Sequence, residues 1–336
     1  MLTNQRIEEL INGIEHYLGK LDNFSNELRE IKAALNESRN SQEKSYMWEL
    51  QKLRSEMEIL KSELQKRGLP ETTEYESYYR QLKSMIQSDT WPKAVDPKSI
   101  CTSEDLVFQR AQAILDLVIG ESLNNRSFLD FGCGEGHVVM RALEQNAKIA
   151  IGYDINASKF KFHNKFFTSE FDMIANADPF DVILLQDVLD HTDVETPVSI
   201  LNKAKSVLSE TGKIFIRNHP WCSRHGSHLY TQLNKAFAHL AFDESELSRL
   251  GGYTNDHTIK LYDPIPVYHG WFSEARFKIC SEIIITKPVD PYFYTNNLIR
   301  EKLLKLWGGD EILMKRNMQL EFAEYILEPM LDQIII

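Results

Sequence analysis

The run Leu129-Asp130-Phe131-Gly132-Cys133-Gly134-Glu135-Gly136-His137, with an isolated acid at Asp154, has the residue types and spacing of a cofactor site. Glycines at alternate positions let a ligand approach bare backbone, and a helix starting directly after them offers free N–H groups. A carboxylate at the tip of the following strand is where parallel-sheet folds hold the two hydroxyls of a ribose. These residues point to a nucleoside-containing cofactor. The dinucleotide fingerprint G-x-G-x-x-G would need glycine where the chain has His137.

A second concentration of chemistry lies at Arg217-Asn218-His219-Pro220-Trp221-Cys222-Ser223-Arg224-His225-Gly226-Ser227-His228-Leu229-Tyr230, with His239-Leu240-Ala241-Phe242 downstream. Imidazole titrates near neutral pH, so His219 or His228 can serve as general base toward a substrate hydroxyl. His219, Cys222, His225 and His228 also recur every third residue, as metal ligands can, but in a loop that spacing lets only some of them converge. In a third reading they order a lid as hydrogen-bond donors. Arg217 and Arg224 can hold an anionic substrate group or pair with the chain's many acids. Nothing in the sequence fixes a role for His257, His269 or the loop Gly251-Gly252-Tyr253.

The D-x-G-x-G-x-G pattern from Asp130 resembles motif I of class I S-adenosylmethionine-dependent methyltransferases, and Ile151-Gly152-Tyr153-Asp154 resembles their second motif. Phe180-Asp181-Val182-Ile183-Leu184-Leu185-Gln186-Asp187-Val188-Leu189-Asp190-His191 resembles a stretch of the small-molecule branch of that family. The loop from Arg217 to Phe242 is similar to an insertion that covers the substrate in sugar and small-metabolite methyltransferases. The resemblance extends over residues 101–290. It implies S-adenosylmethionine as cofactor. The methionine part of that cofactor is a zwitterion without pyrophosphate, which a tight glycine turn beside Asp130 suits. The implied cofactor contacts are Asp130, Gly132, Cys133, Gly134, Gly136, Asp154, Ile155, Asp172, Gln186 and Asp187. Implied catalytic residues are His219, His228, Asp187 and His191, and implied acceptor contacts are Arg217, Trp221, Arg224, His225 and His239; no metal is assigned.

The expected reaction is in-line displacement at the sulfonium methyl, in which positioning does most of the work and a base is needed only for a hydroxyl. The expected acceptor is a small polar molecule such as a sugar or related metabolite, methylated on a hydroxyl or amine. Nucleobase methylation is disfavoured, because Gln186-Asp187-Val188-Leu189 lacks the Asp/Asn-Pro-Pro-aromatic pattern and the chain has no Pro-Cys. Two rivals remain. One is a structural or assembly protein, cellular or of a virion, that binds cofactor without turnover. The other is an NAD-dependent oxidoreductase, against which His137 argues.

The elements that must position these residues read as an α/β fold: a Rossmann-like, doubly wound, mostly parallel sheet with helices on both faces. Strands are expected at 127–131, 148–153, 181–186, 213–217 and 277–286, with a weak one near 168–171. Helices are expected from 136, near 156–166 and at 197–208. An α-helical coiled coil is expected to precede this core. Ile7, Leu10, Ile14, Tyr17, Leu21, Phe24, Leu28, Ile31 and Leu35 alternate at heptad spacing, and a second array runs from Tyr46 to Leu64. Residues 1–70 are read as this oligomerisation segment, either an antiparallel helical hairpin or one long helix that pairs with another subunit, 71–100 as a connector, 101–290 as the methyltransferase domain with a lid insertion at 218–260, and 291–336 as a helical tail.

Bulk composition narrows the partners. The 336 residues are 43% hydrophobic, ample for a full domain with additions. A net charge of −11 argues against global attraction to nucleic acid or an anionic membrane. The four cysteines are scattered without a C-x-x-C pair, as in reduced cytosolic proteins. No secretory signal or membrane-spanning apolar run is visible. The chain is expected to be cytoplasmic, to homo-oligomerise through the coiled coil and to bind a small-molecule acceptor.

Overall fold

The computed structural model describes residues 73–100, 103–162, 165–251 and 259–330. The expected coiled coil, Cys101 and His257 lie outside them. Seven strands form one sheet in the order β3-β2-β1-β4-β5-β7-β6. They are β1 (Ser127–Phe131), β2 (Ile149–Tyr153), β3 (Phe167–Thr168), β4 (Phe180–Gln186), β5 (Leu208–Asn218), β6 (Phe277–Thr286) and β7 (Leu320–Pro329). The first five run parallel, and β7 is antiparallel to both β5 and β6. Strand order reverses between β1 and β4, which opens a crevice at their carboxyl ends.

Every residue of β1 is buried, as expected of a strand covered on both faces. Leu129, Ile183 and Ile214 pack on one side against Leu201, Val267 and Trp271. These come from α5 (Thr196–Ser206) and α8 (Pro264–Glu274). Phe128, Val182 and Phe215 point the other way, against Ile114, Val139 and Ala142. These belong to α2 (Glu104–Ile114) and α3 (His137–Glu144). Ser103 caps α2 by accepting from the Leu106 N–H.

A third core lies beside the sheet. Tyr79, Leu82 and Ile86 of α1 (Thr73–Gln87) pack with Trp91, Trp221, Phe237, Phe293 and Trp307. Trp91 Nε1 donates to Ala236 O at 2.9 Å, and Trp307 Nε1 donates to Tyr262 O at 2.6 Å. The segments read as connector, lid and tail therefore share one accessory core. Four short helices, α6 (Ala238–Ala241), α7 (Glu244–Arg249), α9 (Tyr292–Thr295) and α10 (Asn297–Leu306), build it together with α11 (Glu311–Met318).

Two expectations are corrected. The helix expected near 156–166 is a single 3-10 turn, Ala157–Lys159. Here Phe162 stacks on Phe167 and meets the edge of His137 instead of lying on a helix face. The tail is not wholly helical, because 320–329 is strand β7. Met318, Phe322, Tyr325 and Ile326 fit a helical period, but a strand buried on both faces shows no alternation to oppose that reading. Helix α4 (Phe171–Ala175) joins β3 to β4, and among the described residues no helix is long and apolar enough to cross a membrane.

Candidate active site

The chain leaves β1 through a turn that only glycine makes without strain. Gly132, Gly134 and Gly136 have φ of +89°, +53° and +94°. A Cβ on Gly132 would lie 2.5 Å from Val188, and one on Gly136 2.3 Å from the Phe167 ring. A Cβ on Gly134 would meet nothing within 4 Å, so backbone is open to a ligand there. The turn is latched to β2. Gly132 and Cys133 N–H donate to Tyr153 O, and Gly134 N–H donates to Asp154 Oδ2 at 3.0 Å. Asp154 Oδ1 also accepts from Asn156 N–H at 2.9 Å. Burial, aided by Asp154, pushes the Asp130 carboxyl up to about 7. His137 starts α3 and is buried against Phe108 and Phe162, with Nε2 3.2 Å from Glu104.

The histidine loop follows β5 directly. His219 lies with its ring centroid 4.2 Å from His225 and 5.2 Å from His228, and His191 is 5.1 Å from His228. His219 Nε2 hydrogen-bonds Ser223 Oγ at 2.9 Å. Burial first, then the neighbouring imidazoles, holds His219 well below its ordinary value. Burial also brings His228 down to about 4, with His191 contributing. His228 and Asp187 both have positive φ, 56° and 53°, a strained conformation for residues with side chains. Beneath the loop lies Asp190, fully buried, whose Oδ1 accepts from Tyr268 OH at 2.5 Å. Burial raises its carboxyl to about 7.

One cavity of about 640 Å³ joins the two features. Its lining includes Asp130, Gly132, Cys133 and Gly134 on one side and His219, His225, His228 and Tyr230 on the other, with Gln186 and Asp187 between. Gln186 Oε1, Asp187 Oδ1, His225 Nδ1 and His228 Nε2 are buried without a hydrogen-bond partner. Buried polar atoms of this kind are ordinarily satisfied, so four around one cavity mark a place for a polar ligand.

Not every expected site residue reaches the cavity. Trp221 and His239 are buried in the accessory core, where His239 Nε2 hydrogen-bonds Trp221 O at 2.7 Å. Burial takes His239 down to about 3. Neither lines the cavity, and neither does Arg224. Arg217 lies 3.8 Å over the Phe322 ring, with Nε 3.3 Å from Glu324, so it ties β5 to β7. Cys222 is wholly buried away from the cavity, and among the described residues no three His, Cys, Asp or Glu side chains are arranged to hold a metal. Ile155 is 85% exposed beside Asp154, and Asp172 sits in the first turn of α4. The sequence reading missed Arg110, Tyr230 and Phe322 on the cavity wall, and Glu321 behind it. Arg110 lies 3.8 Å from Asp187. Its position on α2 carries no motif that could have singled it out.

Residues 105–255 match the family model described as a methyltransferase domain. Two curated relatives carry the name tRNA U34 carboxymethyltransferase. The one from Campylobacter curvus is 27% identical over 180 residues, covering 50% of this chain and 53% of the relative. The one from Campylobacter fetus is 26% identical over 168 residues, covering 47% and 52%. The chain thus spans about half the length of the curated relatives it matches. Among solved structures, a SAM-dependent methyltransferase from Archaeoglobus fulgidus is 19% identical with a TM-score of 0.39, covering 67% of this chain and 94% of that one. A magnesium protoporphyrin IX methyltransferase from Synechocystis, solved with bound SAH, is 13% identical with a TM-score of 0.39, covering 76% and 94%. S-adenosylmethionine is the cofactor this site fits. Gly134 offers open backbone, Asp130 and the orphaned Gln186 and Asp187 oxygens offer acceptors for an ammonium, and Asp154, beside the turn but not in the cavity lining, is held to it by the Gly134 N–H.

Proposed function

We propose that the chain transfers the methyl group of S-adenosylmethionine to a hydroxyl of a small polar acceptor, a sugar or related metabolite. The observation that carries this is the single cavity shared by the glycine turn and the histidine loop. When bound, the cofactor supplies an activated methyl on a sulfonium that leaves as a neutral thioether. Gly132, Gly134, Asp130 and Asp154 hold it at the carboxyl ends of β1 and β2. Gln186 and Asp187, at the end of β4, stand between cofactor and acceptor. His219, His225 and His228 face the acceptor. Burial keeps His219 and His228 neutral at pH 7, so they hydrogen-bond hydroxyls without attracting anions. Proximity and orientation then supply most of the rate enhancement.

The relatives' names support a second reading, transfer of a carboxymethyl group to a tRNA. Arg110, exposed at the cavity and 3.8 Å from Asp187, could meet a carboxylate carried by the transferred group. The experiment that separates these begins with calorimetric titration of the full chain with S-adenosylhomocysteine, with NAD as comparison and Asp154→Ala as control. Micromolar binding lost in the variant supports the cofactor assignment, and absence of binding by folded protein overturns it. Transfer of label from methyl-labelled S-adenosylmethionine to monosaccharides supports the first reading. Label found in tRNA alone replaces that acceptor.

A further inference from the structure

We propose that Glu321 and His225 form the proton-accepting pair of this site, with His225 Nδ1 as the atom that takes the acceptor's hydroxyl proton. The proposal rests on the reading of the cavity as a hydroxyl methyltransferase site. Besides His137 at the glycine turn, three histidines of the loop, His219, His225 and His228, line that cavity, and the ring partners of these three differ. His219 Nε2 is engaged by a hydroxyl, that of Ser223. His228 Nε2 is buried with no partner. His225 alone of the three has a carboxylate hydrogen-bonded to its ring, with Nε2 3.3 Å from Glu321 Oε1.

A carboxylate on Nε2 decides what the other nitrogen does. Ionised Glu321 can only accept, so Nε2 carries the hydrogen and Nδ1 keeps its lone pair. His225 Nδ1 is buried without a partner, and His225 lines the cavity. The carboxylate also stabilises the imidazolium that forms when Nδ1 takes a proton, as a buried acid does behind the histidine of a catalytic triad. Glu321 is built to stay ionised. Its side chain is 3% exposed, and Lys287 Nζ lies 2.5 Å from the same oxygen. Burial alone would raise its carboxyl, but hydrogen bonds from His225 and Lys287 outweigh that and hold it below the ordinary glutamate range.

The fold explains how a residue so late in the chain arrives here. β7 runs antiparallel to β5, with Asn218 opposite Ala323. The first residues of β7 therefore sit at the carboxyl end of β5, on the ligand edge of the sheet. Phe322 lines the cavity there, and Glu321 lies behind it. The stretch that matches the methyltransferase family model ends at 255, and Glu321 lies beyond it.

In the step assigned to this pair, the acceptor's O–H bond breaks as its oxygen forms the new O–CH3 bond. The proton goes to His225 Nδ1, and the electron pair of the broken S–CH3 bond stays on sulfur. His225 then returns its proton to solvent. His225 is the catalytic residue here, and Glu321 is a positioning residue that acts through it.

The test uses the full chain with 15N-labelled histidine and two readouts. Ring 15N–1H correlation spectra, with His225 assigned by its loss in His225→Asn, are expected to show the Nε2–H tautomer. The Nδ1–H tautomer overturns the pair. Transfer from radiolabelled S-adenosylmethionine to a monosaccharide panel is the second readout. His225→Asn is expected to lower kcat by about 10²–10⁴-fold, the range of a lost general base, with S-adenosylhomocysteine affinity unchanged. Glu321→Gln is expected to lower kcat in the same direction and Glu321→Asp to restore part of it. If the Glu321 variants do not fold, His225→Asn carries the decision. A kcat within about threefold of wild type in His225→Asn overturns the pair and leaves the function intact. Cofactor binding without transfer to any hydroxyl overturns the functional reading itself, and the catalytic role with it.

Discussion

Asp190 offers a prediction whose size can be worked from the structure. Its carboxyl is 2% exposed and rises from 3.8 to about 7 on folding, because burial penalises the charged form. An acid raised in the folded state contributes stability that is fully present below its unfolded value and is lost as pH rises through the folded one. The complete shift is worth ~4 kcal/mol, of which ~2–3 kcal/mol falls between pH 5 and pH 8. Asp190→Asn keeps the shape and still accepts from Tyr268 OH, but it has no charge to develop. The variant should therefore gain about 2–3 kcal/mol relative to wild type between pH 5 and pH 8.

The comparison must be between variant and wild type, not along the wild-type curve alone. His228 and His239 are lowered to about 4 and about 3 by burial. Their unfolded forms take up protons below about pH 6.5, so they destabilise the fold as pH falls and oppose the trend from Asp190. Asp130, also raised to about 7, adds to it. These contributions cancel in the difference, apart from any coupling to near neighbours. Urea unfolding at four pH values between 5 and 8 gives the two curves. Parallel curves would refute the reasoning and show that Asp190 is ionised in the folded chain at neutral pH.

Other substitutions test the cavity and the accessory core. Gly136→Ala places a Cβ 2.3 Å from Phe167 at φ +94° and should destabilise the fold, whereas Gly134→Ala, with open space around it, should cost only ~1–2 kcal/mol of backbone strain. Because Gly134 lines the cavity, its alanine variant should still weaken S-adenosylhomocysteine binding by roughly tenfold or more in calorimetry; wild-type affinity would remove that turn from the cofactor site. Trp91→Ala deletes a side chain 1% exposed and its bond to Ala236 O, and should cost ~3–5 kcal/mol in urea unfolding; a loss under about 1 kcal/mol would mean the segment after α1 does not share a core with the histidine loop.

The parts of this site legible in the sequence are those whose partners lie close along the chain. The glycine turn, the strand before it and Asp154 fall within one βαβ unit, and each glycine answers a local backbone demand. The histidines read as chemistry from their type, but their type does not say which of them meets the cavity. His239 and His225 look alike in sequence. One is sealed against Trp221 and the other lines the cleft. What separates them is the path of the accessory core, which draws on residues from Tyr79 to Leu320 and has no local signature. Glu321 was hidden for a related reason. Its strand is buried on both faces, so its apolar residues can be read at helical spacing. Only pairing with β5 brings it to the ligand edge of the sheet. A charged residue that looks like the solvated face of a tail helix is, once its strand is inserted, a buried carboxylate against an imidazole. The pattern of apolar residues records that a segment is buried, and the sheet register decides what chemistry its polar residues do.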